Sequence, residues 1–209
     1  MPNAEKKVFY GLSNVHSAKL TEVRDPDTGV ITSSYGAVKP WPGAVALALD
    51  PNGNPIIFSA DNGAYYTAPN NRGYQGEYEC ARIPDDIRVD TCGNTIDDNG
   101  FIVETDKDEL SYFALMFEFD TDVNADRYVF YKVGLAQRPS VSSKTIEIDA
   151  DLEVGTEKVQ FAAMPQADVV TIDGINRHLI KAKTSKDVDA TAYNNFYQSV
   201  YIPSFTGES

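Results

Sequence analysis

The stretch SYFALMFEFDTDVNADRYVFYKVGLA, residues 111–136, constrains the fold more than any other part of the chain. Phe113, Leu115, Phe117 and Phe119 recur at every second position. That is the period of a strand with one buried face, not the period of about 3.6 residues that a helix needs. A second strand-like run, DRYVFYKVGLA (126–136), follows the polar segment DTDVNA. The two runs read as an antiparallel hairpin, which Pro139 ends.

The rest of the chain repeats this pattern. With 12 Tyr and 10 Phe, aromatic residues that favour pleated surfaces are frequent. KKVFYGL (6–12) and VHSAKLTEV (15–23) are predicted strands, with the turn chemistry of DPDTG (25–29) after them. GYQGEYECARI (73–83) sets Tyr74, Tyr78 and Cys80 against Gln75, Glu77 and Glu79, a half-buried strand with an acidic outer face. TIEID (145–149), EKVQFAAM (157–164) and RHLIKAK (177–183) are further predicted strands. PDDIRVDTCG (84–93) reads as a short helix, with Pro84, Asp85 and Asp86 suited to its first turn and Gly93 to its end. Ile87 and Val89 would face the sheet. DATAYNNFYQSVY (189–201) reads as a short helix or irregular segment. The expectation is one mainly β domain over residues 1–209, an antiparallel β-sandwich or barrel with one or two short helices.

Two stretches resist a simple assignment. In GAVALALD (43–50), Val45, Leu47 and Leu49 alternate with Ala44, Ala46 and Ala48. The alanine face is neither polar enough for open solvent nor bulky enough for a second core. It requires a close neighbour, either the 84–93 helix or another subunit. Residues 51–73 are rich in Asn, Gly and Pro and read as a long irregular loop, yet contain Ile56, Ile57, Phe58, Tyr65 and Tyr66. Long loops in compact domains are usually functional or docked on something.

Several function classes lose support. The net charge is −13, and the longest basic run is Lys6-Lys7, so the chain lacks the clustered cations that grip nucleic acid. Cys80 and Cys92 are too few for a disulfide framework and lack metal-ligand spacing. His16 and His178 fall in different predicted strands without a partner at ligand spacing. GLSNV (11–15) fails the nucleophile-elbow pattern at its last position. TIDDNG (95–100) and DPNGNP (50–55) fail the calcium-loop pattern. No apolar signal core or membrane-length run is present, and no glycine-rich phosphate loop opens a helix. The expectation is a non-enzymatic protein with no cofactor and no metal. Trp41, Tyr65 and Tyr66 leave sugar stacking open, as in an acidic β-sandwich binding module that recognises a glycan or receptor.

KKVFYGLSNVHSAKL (6–20), PWPGAVALALDPNGN (41–54), ADNGAYYTAPNNRGYQGEYE (60–79), ARIPDDIRVDTCG (81–93), DDNGFIVET (97–105), FALMFEFDTDVNADRYVFYKVGLAQRPSV (113–141) and LIKAKTSKDVDATAYNNFYQSVY (179–201) together, in that order, resemble the major tail tube protein of long, non-contractile-tailed bacteriophages. The resemblance covers nearly the whole chain, without the immunoglobulin-like domain that some relatives append. It implies the tail-tube fold: two packed antiparallel sheets and a flanking helix. It also implies self-assembly into hexameric rings stacked as a tube, through which genome DNA leaves without specific binding. Implied partners are further copies of the chain and the tape measure, tail-terminator and tail-tip initiator proteins, with no membrane partner. The implied location is the virion tail, assembled in the host cytoplasm.

On this basis Ile57, Tyr65 and Tyr66 are candidate anchors of a loop that reaches the adjacent ring, with 24–43 as the alternative segment. Glu77, Glu79 and Glu118, on the polar faces of strong strands, are candidate lumen-facing acids; the outer surface is the competing placement. Six copies at −13 each would carry 6 × (−13) = −78 formal charges per ring. Salt screens such a field within about 10 Å at about 0.1 M, so only lumen-facing charges would repel DNA.

Overall fold

The computed structural model describes residues 7–60, 62–143 and 154–205. In chain order the elements are β1 (Phe9–Arg24), β2 (Ile31–Tyr35), β3 (Lys39–Pro40), β4 (Ala44–Pro51), β5 (Ile56–Ala60), β6 (Gly63–Ala68), β7 (Tyr74–Cys80), α1 (Asp85–Cys92), β8 (Thr95–Ile96), β9 (Ile102–Val103), β10 (Phe113–Thr121), β11 (Asp126–Leu135), β12 (Ser140–Ser142), β13 (Thr156–Met164), β14 (Val169–Ile172), β15 (Ile175–His178), β16 (Lys181–Lys183) and α2 (Ala190–Asn194). The architecture is mainly β and antiparallel with two short helices, as the alternation predicts. The predicted strand 145–149 lies outside the described residues.

The main sheet runs β2-β1-β10-β11-β13-β7-β4, with β3 on β1, β12 on β13 and β16 on β11. It curls, so that β4 at one end comes back against β1. The predicted hairpin is its centre: Phe119 opposes Asp126 and Phe117 opposes Tyr128. Phe113, Leu115 and Phe117 project into the main core with Phe130, Val133, Val159 and Phe161. Phe117 and Tyr128 stack with ring centroids 5.2 Å apart.

The opposite face of β10 and β11 is also buried. Ala114, Met116, Val129 and Tyr131 form a second core with Ala18, Phe196 and Val200. The segment carrying α2 therefore acts as a strap across the sheet. The Asp189 carboxylate caps α2 by accepting from Thr191 N and Ala192 N.

Several sequence expectations need correction. The two N-terminal runs form one strand, β1, whose register slips between Tyr10 and Leu12 and between Ser13 and His16. Gly11 and Asn14 take positive φ there, which lets one strand bend where the alternation changes phase. Residues 177–183 divide between β15 and β16. Trp41 is 1% exposed and packs edge-on to Tyr78 in the core, so it is not available to stack on a sugar.

The alanine strand is also re-phased. A register shift between Ala44 and Ala46 leaves Val45 54% exposed, while Ala44, Leu47 and Leu49 pack on the core. Ala46 and Ala48 remain exposed beside Glu79 and Glu77 of β7. The α1 helix does not cover them; its Ile87 and Cys92 belong to the main core instead. Val89, expected to face the sheet, is only half-buried.

Candidate functional site

The predicted loop at 51–73 contains an ordered hairpin, β5–β6. Ile56 opposes Ala68, Ile57 opposes Thr67 and Phe58 opposes Tyr66, with a bulge before Ser59. Asn62 takes the positive φ needed in its tip. At its root, Asn52 N donates to Gly73 O (2.8 Å) and Arg72 N donates to Asn52 O (2.9 Å). Gly53 sits there at φ +131, where a Cβ would fall 1.9 Å from Asn70 O. Only glycine closes that root without moving the backbone.

What the hairpin presents is apolar. Ile57 is 58% exposed, Phe58 58%, Tyr65 73% and Tyr66 59%. Their alternation around a two-stranded ribbon puts large side chains on both of its faces. The two strands pack on each other and not extensively on another element. All three predicted anchors, Ile57, Tyr65 and Tyr66, thus belong to one projecting element. In the single chain these side chains are exposed, because the ribbon reaches away from the core rather than folding back.

The sheet also has two end strands. Among the described residues β4 pairs with β7 alone and β2 with β1 alone, and on the outer edge of β2 the Ser33 N–H is taken by the Asp168 carboxylate. Exposed strand edges are templates for further pairing unless something blocks them.

Glu77 and Glu79 occupy the outer face of β7, as the alternation predicts. Lys158 of β13 lies between them, 3.4 Å from Glu77 and 3.2 Å from Glu79. The Thr156 hydroxyl donates to Glu79 at 2.6 Å. That hydroxyl and Lys158 hold the Glu79 carboxyl below the usual range, and the two glutamates hold Lys158 above its own. Because Ala48 is small and Gly76 has no side chain, a shallow groove of about 440 Å³ remains beside Glu77, floored by Gly76 and Phe161.

Glu118 is a correction. It is 6% exposed, on the strap side of β10, so the isolated subunit does not present it as a surface charge. It accepts from Arg127 Nε at 2.9 Å and from the Tyr197 hydroxyl at 3.3 Å. Asn14 and Ser13 also donate to it. The Arg127 guanidinium lies 3.8 Å from the centroid of the Tyr193 ring and donates to the Tyr193 carbonyl. This cluster ties the strap to the sheet. The sequence hint was the opposition of Glu118 and Arg127 across the hairpin, which is informative only once the register is known.

Burial raises the Cys80 and Cys92 thiols, which disfavours their reactive thiolate forms. His16 stacks on Tyr197 at 4.4 Å, and His178 contacts the Asp168 carbonyl through Nδ1. Among the described residues no group of three or more His, Cys, Asp or Glu could hold a metal ion, and no helix is long and apolar enough to cross a membrane. No protein-family model matches the chain, and no curated protein matches it significantly.

Proposed function

We propose that the chain is a structural subunit that assembles with copies of itself, in the manner of a phage tail tube: hexameric rings stacked around a conduit for DNA. The observation that carries the reading is the 56–68 hairpin, an ordered ribbon that exposes Ile57, Phe58, Tyr65 and Tyr66 to solvent. Water penalises such a surface, and contact with another molecule relieves the penalty. The end strands β2 and β4 add backbone groups that a neighbouring subunit can satisfy. The resemblance in sequence order to tail tube proteins supplies the kind of assembly.

The acidic balance suits a conduit for DNA, because counterion release would have few cations to drive it. Glu77 and Glu79 are the surface carboxylates proposed to face that conduit. Light scattering across a concentration series tests the reading. Assembly gives masses at multiples of six 23.0 kDa chains, and a constant 23.0 kDa species opposes it.

Glycan or receptor binding is the competing reading, and the exposed Tyr65 and Tyr66 are what favour it. Phe58 and Tyr65 meet edge to face at 84°, so the two rings do not form one flat stacking platform. That geometry suits protein packing better than the face of a sugar.

A further inference from the structure

A cavity of about 490 Å³ lies between β2, the start of β14 and the C-terminal strap. Tyr35, Val170, Leu179 and Val200 give it apolar walls, and Val169 and Ile202, each 51% exposed, form its rim. The polar end belongs to Asp168, Gln166 and Ser33.

The donors to Asp168 are all neutral. Its carboxylate accepts from Ser33 N at 2.9 Å and 3.1 Å and from Gln166 Nε2 at 3.1 Å. Among the described residues no cation pairs with it. Lys132 is taken by Glu22, the register partner of Ser33, at 2.7 Å. Two further polar atoms lack partners among the described residues: Gln166 Oε1, on a side chain 4% exposed, and Ser33 Oγ. Gln166 is fixed in place, since its backbone N donates to Leu179 O at 2.7 Å. Buried acceptors left unpaired are costly, and a half-buried carboxylate normally finds a cation.

We propose that this cavity receives an arginine side chain from a second copy of the chain. A guanidinium offers five donors in a planar fork, enough for the Asp168 carboxylate and, once their side chains turn toward it, for Gln166 Oε1 and Ser33 Oγ. An ammonium is a point charge and would leave more of these acceptors unmet. The aliphatic stem of the arginine lies along the apolar walls, and the exposed apolar rim suits a polypeptide better than a free small molecule. Arg24, Arg72 and Arg177 are the exposed arginines without an ion pair among the described residues, and a second copy presents the same three. The choice of a second copy rests on the self-assembly reading above; the guanidinium specificity of the cavity does not.

The test has two arms. First, the isolated subunit is titrated with N-acetyl-arginine amide, its lysine counterpart and the neutral citrulline counterpart, followed by amide NMR shifts. The expected result is saturable shifts at Ser33, Gln166 and Asp168 for the arginine probe, with affinity lower by about tenfold or more for the other two. Asp168→Asn, with core resonances unchanged, should abolish the response. No binding, or equal binding of the citrulline probe, overturns the site. Second, Arg24→Gln, Arg72→Gln and Arg177→Gln are compared with the unaltered chain in an assembly assay. Loss of assembly in one of them supports the second copy as the source, and normal assembly in all three overturns it. If the unaltered chain does not assemble, the self-assembly reading fails, and the second-copy source with it; the first arm still decides the cavity.

Discussion

Four side chains, Ser13, Asn14, Arg127 and Tyr197, donate to the single carboxylate of Glu118, whose side chain is only 7% exposed. A buried ion pair of this kind is more expensive to break than it is valuable to have. Glu118→Ala leaves Arg127 and three neutral donors without their acceptor. We predict a loss of about 3 kcal/mol or more in denaturant unfolding, and a comparable loss for Arg127→Met. The double replacement Glu118→Met with Arg127→Met should recover much of that loss; equal or additive losses would show that the pair does not act as a unit. Four tyrosines supply a second prediction at this scale. Burial holds the Tyr35, Tyr78, Tyr131 and Tyr197 phenols above their ordinary value of 10.0. Above that pH the unfolded chain releases protons that the folded chain retains, so the contribution of these phenols to stability is intact below about pH 10 and declines above it. Tyrosinate absorbance should therefore show these four of the 12 tyrosines silent until the fold opens, in one step with loss of circular dichroism. Smooth titration of all 12 within the folded state would contradict their burial.

Among the elements, the β5–β6 hairpin separates assembly from folding. Its apolar side chains are exposed, so replacing them removes little from the core of one subunit. The triple variant Ile57→Ser, Tyr65→Ser, Tyr66→Ser should keep the unfolding free energy within about 1 kcal/mol of the parent. It should also lose ring stacking under conditions where the parent stacks, as read by light scattering. Stacking that survives would remove these three residues as anchors. This element also shows how far the sequence could be read. Phe113 to Phe119 and Tyr74 to Cys80 keep strict period two, and both are strands with the predicted face inward. The hairpin was hidden because Asn, Gly and Pro at 51–55 and 69–73 mask the short runs between them, and because its hydrophobic residues are not sorted onto one face. In GAVALALD a single bulge exchanges Val45 for Ala44 at the core, and alternation alone carries no sign of a bulge. The strap over β10 and β11 was equally hidden, since nothing local to FALMF says what covers Ala114 and Met116.

The molecule is a curled antiparallel sheet with cores on both faces of its centre, end strands β2 and β4 that meet no further strand among the described residues, and an apolar ribbon projecting from it. In the proposed tube its charge becomes a property of the conduit. Glu77→Lys with Glu79→Lys turns a site with two carboxylates around Lys158 into one with three ammonium groups. Tubes built from that variant should retain DNA, slowing its release in low salt and less so in high salt, because screening removes the added attraction. Unchanged release from intact tubes would place these glutamates away from the lumen. The most direct test of self-assembly is electron microscopy of the purified chain in negative stain over a range of concentrations. The prediction is annular particles that stack into tubes with a central hole. Single particles of 23.0 kDa at every concentration, with Tyr65 and Tyr66 still open to surface labelling, would contradict it.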